Sequence, residues 1–246
     1  MMLHKTKGIV LRTVKYGETS VIVTCFTELF GLQSYIVNSV RKASSKGTAK
    51  AAYFQPASQL DLVVYHQPAR NLNRIREYKW SFLYQHVLSD VFKNAVAQFM
   101  IELLNKSLKE PEPNNELYYF TEDALQRLDQ ASATVTANFP LFFALHLPVF
   151  FGFRIPDEWS TEQSILDLKE GTFTTQPPQH PYFLEGRAAE AVAHILKVLQ
   201  PDELEEVKLN GEQRREILQQ LEQYYALHLP EFGTLRTLPV LKEITG

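Results

Sequence analysis

The sequence predicts an α+β protein built from an N-terminal five-stranded β-barrel, residues 1–80, and a helical domain, residues 81–246. A small β-hairpin subdomain, residues 153–184, is inserted into the helical domain. Short β-branched and aromatic runs separated by turn residues fill the N-terminal part. Apolar residues at three- and four-residue spacing dominate the rest. The two parts carry opposite net charge, and 246 residues are enough for two domains.

Five short runs predict the strands of the barrel. Turn residues separate them: Gly17 follows the first run, Gly31 precedes the third and Pro68 precedes the fifth. Five closely spaced strands within about 80 residues are typical of a small closed or partly closed barrel. The runs are Gly8–Tyr16, Ser20–Thr27, Leu32–Val40, Ser58–Tyr65 and Asn71–Tyr78.

Charged residues are divided unevenly along the chain. Residues 1–80 carry 12 Lys and Arg against 4 Asp and Glu, whereas residues 81–246 carry 13 against 24. A basic module joined to an acidic one is the asymmetry expected of a protein that binds a polyanion such as a nucleic acid. Attraction between the basic and acidic parts of the same molecule is the alternative explanation.

The most basic stretch, Arg41–Lys50, lies between the third and fourth runs and reads RKASSKGTAK. It cannot bury enough apolar surface to order itself, so we expect a polyanion to help fix it; a mobile solvated linker is the alternative. In the fifth run, period-two spacing places Leu72, Arg74, Arg76 and Tyr78 on one side. Two arginines beside a tyrosine can pair with phosphate and stack on a base. A strand edge charged against edge-to-edge pairing has the same pattern.

Beyond residue 80 the periodicity predicts helices. Asp90 is a candidate cap for the first helix, and Asn114 or Asn115 for the second. An apolar helix at residues 141–152 is expected to kink at Pro148, and it is too short to span a bilayer. The remaining predicted elements are a hairpin of Ile165–Leu168 and Thr172–Thr175 and helices at Glu185–Leu199 and Gly211–Leu229.

No sequence motif points to an enzyme. The chain has no phosphate-binding loop, no dinucleotide-binding glycine pattern, no zinc-protease motif and no nucleophile elbow. Its seven histidines lack metal-ligand spacing, and Cys25, the only cysteine, lies in an apolar run and is expected in the core. The N-terminus lacks the apolar stretch of a signal peptide. We therefore predict a soluble, cytoplasmic, non-enzymatic protein without a cofactor or a metal.

The segment GIVLRTVKYGETSVIVTCFTELFG, the basic RKASSKG stretch, and the closing QLEQYYALHL and LRTLPVL together resemble the RecO family of bacterial DNA repair proteins. The resemblance covers nearly the whole chain. It implies an OB-fold barrel, an all-helical domain and a small inserted subdomain. It also implies binding of single- and double-stranded DNA and annealing of complementary strands. The implied partners are RecR and the C-terminal tail of the single-strand binding protein, in loading RecA at gaps.

The inserted subdomain departs from the family pattern. Many relatives carry a four-cysteine zinc motif there, but the corresponding stretch, Pro156–Pro178, contains no cysteine. The hairpin around Gly171 is therefore expected to be held by packing rather than by a metal.

The residues and the resemblance indicate the same candidate DNA contacts. Cations are expected to neutralise phosphates and tyrosines to stack on bases, although each tyrosine could equally belong to the barrel core. Nothing in the sequence indicates base-edge readout, so binding without sequence preference is expected. The candidates are Lys15, Arg41, Lys42, Lys46, Lys50, Arg70, Arg74 and Arg76 for phosphates, and Tyr16, Tyr35 and Tyr78 for bases.

A partner tail that is acidic and ends in hydrophobic residues would need cations beside an apolar notch in the helical domain. Arg127, Arg214, Arg215 and Arg236 are the candidates, and a solvated helix face is the alternative for each. The second interpretation of the whole chain is a protein-interaction adaptor, whose basic barrel binds an acidic protein instead of DNA.

Overall fold

The computed structural model describes residues 2–40, 50–68 and 70–244. The chain divides into two compact units. Unit 1 consists of Met1–Gln85 and Leu108–Gln126, and unit 2 consists of His86–Ser107 and Arg127–Gly246. The stretch Leu108–Gln126 therefore belongs to the unit of the N-terminal strands, although it lies well beyond them in the sequence.

Unit 1 contains a closed five-stranded barrel, which confirms the predicted fold class. The strand order is β1-β2-β3-β5-β4, and β1 closes the barrel by pairing with β2 through residues 8–16 and with β4 through residues 2–9. Strands β3 and β5 pair in parallel, and the other neighbours pair antiparallel. This arrangement fits an OB-fold. The strands are β1 Met2–Tyr16, β2 Ser20–Thr27, β3 Gly31–Val37, β4 Gln59–His66 and β5 Asn73–Phe82.

The α-helices that follow the barrel begin and end close to the predicted positions in most cases. Asp90 caps the first, since its carboxylate accepts the amides of Phe92 and Lys93 at 2.8 and 2.9 Å. The helices are α1 Val91–Ser107, α2 Asn115–Gln130, α3 Ala133–His146, α4 Gly186–Leu196, α5 Gly211–His228 and α6 Thr237–Ile244.

Alternation of apolar and polar residues builds the barrel core. In β4, Leu60, Leu62 and Val64 are buried, whereas the residues between them are partly exposed. Cys25 of β2 is also fully buried, and burial raises the pKa of its thiol to about 12. Cys25 is therefore a core residue, as predicted.

A β-bulge at Arg76 changes which residues of β5 face the core. Arg76 is one extra residue inserted against β4. Beyond it, Tyr78 pairs with the core residue Leu62 and lies on the same side as Ile75. The prediction that Tyr78 shares one side with Arg74 and Arg76 is wrong, because the extra residue shifts the alternation by one.

The first turns of α2 pack on the barrel within unit 1. Gln59 of β4 is fully buried and donates to the hydroxyl of Tyr84 at 3.0 Å and to the carbonyl of Glu122 at 3.2 Å. Gln126 donates to the side-chain oxygen of Gln59 at 2.8 Å. A buried amide without partners would cost free energy, so these bonds fix the helix against the strand.

Helix α3 is the centre of unit 2. It contacts α1, α4 and α5, and its residues Val135–Leu145 are mostly buried. By length and composition the helical stretch Ala133–Phe151 could cross a membrane, but two-thirds of it is buried inside the protein. Its apolar character is accordingly explained by its place in the core.

The bounds of this apolar helix differ from the prediction. The helix begins at Ala133 after the N-cap Ser132, runs through Pro140 and ends at His146, and a 3-10 turn over Leu147–Phe151 follows. Pro148 therefore ends the α-helix instead of kinking it, because its ring nitrogen has no hydrogen to donate to the carbonyl four residues before, whereas Leu147 still has the α conformation.

The inserted subdomain contains three strands, β6 Ile165–Asp167, β7 Thr172–Thr174 and β8 Phe183–Leu184. They form one sheet of order β7-β6-β8. The predicted hairpin is confirmed as β6 and β7, and β8 was not predicted. This strand follows a proline-rich stretch, and two residues are too few to show an alternation of apolar and polar side chains. Tertiary pairing with β6 alone makes it a strand.

The inserted subdomain does not contain the ligands of a cysteine zinc site. It has no cysteine, and residues 2–40, 50–68 and 70–244 contain no group of three or more potential ligands placed to hold a metal. Instead, Asp167 of β6 lies 3.4 Å from Nε2 of His180 and accepts the amides of Lys169 and Glu170 at 2.8 and 3.1 Å. His228 of α5 donates to the carbonyl of Leu168 at 3.0 Å. Hydrogen bonds and packing therefore hold the sheet.

Candidate nucleic-acid interface

The basic segment, Arg41–Lys50, is flanked on both sides by buried residues of the barrel. Arg41, Lys42 and Lys46, which we expect to contact phosphates, lie outside the described residues. Val40 before them and Phe54 after them are 1% and 2% exposed and belong to the barrel core. The segment is therefore attached at both flanks to the same rigid module.

Strand register places two predicted cations at one end of the barrel. Val14 of β1, Ile22 of β2, Ile36 of β3 and Arg74 of β5 form one row of directly paired residues. Neighbouring strands lie about 4.8 Å apart, so the row extends over about 14 Å. Lys15 follows Val14, and the basic segment leaves the barrel a few residues beyond Ile36. The two cations and the start of the basic segment thus lie at the same end.

Several cations of unit 1 are exposed and have no ion-pair partner among residues 2–40, 50–68 and 70–244. Arg76 differs, because it pairs with Glu77 at 3.3 Å, although both side chains are at least half exposed and such a pair is weak. Arg12 was not among the predicted contacts; its interruption of an apolar run was the available signal. The exposed cations without a partner among these residues are Lys5, Arg12, Lys15, Lys50, Arg70, Arg74 and Lys109.

The three candidate tyrosines have different environments. Tyr16 is 49% exposed at the end of β1, so its ring is available to a ligand. Tyr35 is 0% exposed in the barrel core, where burial raises the pKa of its hydroxyl. Stacking of a base on Tyr35 is contradicted by this burial. Tyr78 is partly buried and packs against the core, and burial followed by the neighbouring Tyr53 raises the pKa of its hydroxyl.

Two further aromatic residues beside the basic segment were not predicted as contacts. Tyr53 directly follows the helical residues 50–52, and its ring stacks on that of Trp80 with centroids 4.6 Å apart. Tyr53 also makes an edge contact with Tyr78 at 5.1 Å. In the sequence, only the place of Tyr53, three residues after Lys50, pointed to an aromatic ring beside the basic segment.

The outer face of β1, β4 and β5 forms an open groove of about 570 Å³. Three lysines (Lys5, Lys7 and Lys79) and three acids (Glu28, Asp61 and Glu77) line it. Two of the lysines are ion-paired: Lys7 lies 3.1 and 3.2 Å from the two carboxylate oxygens of Glu122, and Lys79 lies 3.2 Å from Asp61. Because its charges are balanced, this groove favours a polyanion less than the cationic end of the barrel does.

The four arginines expected to bind a partner tail have different surroundings in unit 2. Arg127 lies 3.9 Å from Asp202. Arg214 is partly buried and donates to the carbonyl of Leu209 at 2.5 Å, and burial followed by Arg215 lowers the pKa of its guanidinium. These contacts give Arg214 a structural role. Arg215 is partly exposed and Arg236 is exposed at the start of α6.

Unit 2 also has an open cleft of about 860 Å³ between α4 and residues 203–213. Apolar residues such as Val198 and Leu209 line it together with the cations Arg187, Lys197 and Lys208. None of the four predicted arginines is among its lining residues. The sequence did not indicate this cleft, because the packing of residues 187–198 against residues 203–213 forms it.

Comparison with known proteins gives one consistent result for the whole chain. Residues 1–84 match the family model described as "Recombination protein O N terminal", and residues 88–237 match "Recombination protein O C terminal". Curated relatives are each named DNA repair protein RecO. The protein from Phocaeicola vulgatus is 32% identical over 243 residues, with 99% of both chains covered. The protein from Christiangramia forsetii is 33% identical over 246 residues, covering 100% of both, and that from Flavobacterium psychrophilum is 34% identical over 246 residues, covering 99% of both.

Proposed function

The chain belongs to the RecO family of DNA repair and recombination proteins, and we propose that it is a non-enzymatic recombination mediator of the bacterial cytoplasm. In this role it binds single- and double-stranded DNA through the cationic end of the barrel and anneals complementary strands. It also helps to load RecA at gaps together with RecR. The barrel and the helical domain are proposed to act as separate modules, for DNA and for protein partners respectively.

The observation that carries the proposal is the set of exposed, unpaired cations around the basic segment. Lys15 and Arg74 lie at the end of the barrel where that segment begins. Cations without acidic partners keep their full charge for phosphates, and their release of counterions makes the affinity salt-dependent. Contacts of this kind carry no base information, so binding without sequence preference is expected.

A salt titration with random-sequence oligonucleotides tests DNA binding. We expect the affinity to fall about tenfold or more between ~50 and ~200 mM salt. At the same salt concentration, the double variant Lys15→Glu/Arg74→Glu should bind about tenfold more weakly than the wild type, because two phosphate contacts are lost. For the same reason its affinity should fall less steeply as the salt concentration rises. Fluorescence anisotropy measures both effects.

The matched control reverses two exposed lysines of unit 2, Lys169→Glu/Lys197→Glu, and changes the net charge by the same amount. Binding at the wild-type level in the control, with loss in Lys15→Glu/Arg74→Glu, supports the barrel surface. Equal loss in both would mean that only net charge matters. Absence of oligonucleotide binding by the wild type at low salt would favour the adaptor with an acidic protein partner.

Strand annealing follows from the same surface. A cationic surface that holds two strands lowers their mutual repulsion, so pairing is accelerated without covalent chemistry. The triple variant Arg41→Glu/Lys42→Glu/Lys46→Glu should slow the annealing of complementary oligonucleotides at equal protein concentration. Undiminished annealing by this variant would contradict the proposed role of the basic segment.

The protein partners are proposed to be RecR and the acidic C-terminal tail of the single-strand binding protein. For the tail, Arg127, Arg215 and Arg236 are the contacts tested first, by substitution with Ala and measurement of peptide binding. Arg214→Ala serves as a stability control because Arg214 is bonded internally. Wild-type affinity in the three single variants would exclude these arginines as the tail site.

A further inference from the structure

Tyr53, Tyr78 and Trp80 form a contiguous aromatic cluster on the barrel. Tyr53 and Trp80 stack with their planes 19° apart, and Tyr53 and Phe54 both make edge contacts with Tyr78, at 5.1 and 4.7 Å. Phe54 belongs to the closed core, whereas the other three rings are only partly buried and pack against the core from outside. Part of each of these three rings therefore meets solvent.

The cluster exists because of the bulge at Arg76. Without the extra residue, Tyr78 and Trp80 would lie on the outer side of β5 with Glu77 and Lys79 on the core side. With it, Tyr78 and Trp80 pair with the core residues Leu62 and Leu60 and extend from the core to the surface. Tyr53, Tyr78 and Trp80 thus keep part of their surface in solvent, outside a core of fully buried residues.

The cluster lies directly after the basic segment, and its Tyr78 also borders the groove on β1, β4 and β5. Tyr53 donates its amide to the carbonyl of Lys50 at 3.3 Å, so the ring lies one helical turn after the last cation of the basic segment. Next to it, the hydroxyl of Thr13 donates to the carbonyl of Phe54 at 2.6 Å. This bond ties the Tyr53–Phe54 turn to β1. The partly exposed rings therefore lie beside the end of the basic segment at Lys50.

We propose that Tyr53, Tyr78 and Trp80 form a stacking platform for an unpaired base, so that the barrel distinguishes single-stranded from duplex DNA. This inference rests on the proposed function. In a duplex, the faces of the bases are covered by their neighbours, so only an unpaired base can stack on a protein ring. The cations contact phosphates of either form, whereas the rings add affinity for single strands alone.

The first experiment compares three ligands of equal length: an oligo(dT) strand, an abasic strand with the same phosphates, and a duplex hairpin. Wild type is expected to bind oligo(dT) more tightly than the abasic strand, by about fivefold or more, because one stacked base adds affinity. Trp80→Leu and Tyr53→Leu should remove this preference while leaving abasic and duplex binding unchanged.

The matched control is Phe82→Leu, which removes an aromatic ring two residues further along β5. The ring of Phe82 makes an edge contact with that of Tyr84, with centroids 5.3 Å apart. This control is expected to keep the preference for oligo(dT). A preference that survives Trp80→Leu, or equal weakening of all three ligands in the two cluster variants, would overturn the inference. Absence of DNA binding by the wild type would instead overturn the proposed function.

A second measurement needs no substitution in the cluster. Trp80 and Trp159 are the two tryptophans of the chain, so Trp159→Phe leaves Trp80 as the sole indole emitter. Oligo(dT) is expected to quench its emission at saturation, whereas the abasic strand and the duplex should not, although anisotropy shows them bound. Unchanged emission with bound oligo(dT) would overturn the inference, and the outcome does not depend on the stability of a variant barrel.

Discussion

Gly31 lies directly against the backbone of Glu112 in unit 1. A Cβ atom on Gly31 would overlap the carbonyl group of Glu112 and approach the carbonyl oxygen of Pro111 to 2.8 Å. Gly31 also has φ +61°, a left-handed conformation that costs other residues free energy. The residues before α2 therefore pack on the β2–β3 turn as closely as a glycine permits.

We expect Gly31→Ala to destabilise unit 1 by more than about 2 kcal/mol, because backbone atoms would have to move in addition to the left-handed penalty. Gly17→Ala is the matched control: Gly17 has φ +59°, and a Cβ there meets nothing within 4 Å. It should cost only about 1 kcal/mol. Urea unfolding of both variants measures the difference, and equal losses would contradict the close approach.

Asp167 is expected to hold the subdomain that lacks zinc ligands. Asp167→Ala removes the acceptor of two backbone amides and the contact with His180, and each lost hydrogen bond costs about 0.5–1.5 kcal/mol. The readout is hydrogen exchange at the amide of Leu168, which donates to the carbonyl of Tyr182 at 3.0 Å. This exchange should become faster.

Asp167→Asn and His180→Ala separate the two contributions of this aspartate. The Asn variant keeps an acceptor for the amides of Lys169 and Glu170, so its effect on exchange at Leu168 should be smaller than that of the Ala variant. His180→Ala removes only the contact with the imidazole, which contributes about 0–1 kcal/mol. Wild-type exchange in Asp167→Ala would show that packing alone holds the sheet.

His146 makes unit 2 sensitive to acid. Burial lowers the pKa of its imidazole below the usual 6.5, although hydrogen bonds to the carbonyls of Phe142 and Val198 partly oppose this. Below pH 6.5 the unfolded chain therefore binds a proton that the folded one does not, and the free energy of unfolding falls as the pH falls. The slope is at most about 1.4 kcal/mol per pH unit.

The variant His146→Phe keeps a ring against Phe142, whose centroid lies 4.3 Å from that of His146. We expect the difference between its stability at pH 7.5 and at pH 5.5 to be smaller than in the wild type. Comparison of each protein with itself at the two pH values removes any constant cost of repacking. An identical pH dependence in both proteins would exclude His146 as the source.

Much of the fold could be predicted because the signals are local. Period-two runs found the strands, and Asp90 marked the start of α1 through a cap that acts within three residues. The start of the apolar helix was predicted wrongly, at residue 141 instead of Ala133, because Pro140 is tolerated inside α3 when the surrounding core stabilises the helix. Its ten buried residues outweigh the hydrogen bond that a proline lacks.

For the candidate DNA surface, the sequence by itself determined that the positive charge is concentrated in the barrel and its basic segment, because charge and its position along the chain require no folding. Tertiary structure alone decided which rings are available. One inserted residue at Arg76 reverses the alternation in β5, burial places Tyr35 in the core, and the return of the chain at Phe54 brings Tyr53 against Trp80. These three outcomes depend on pairing and packing between segments far apart in the sequence, and no local pattern encodes the distances between them.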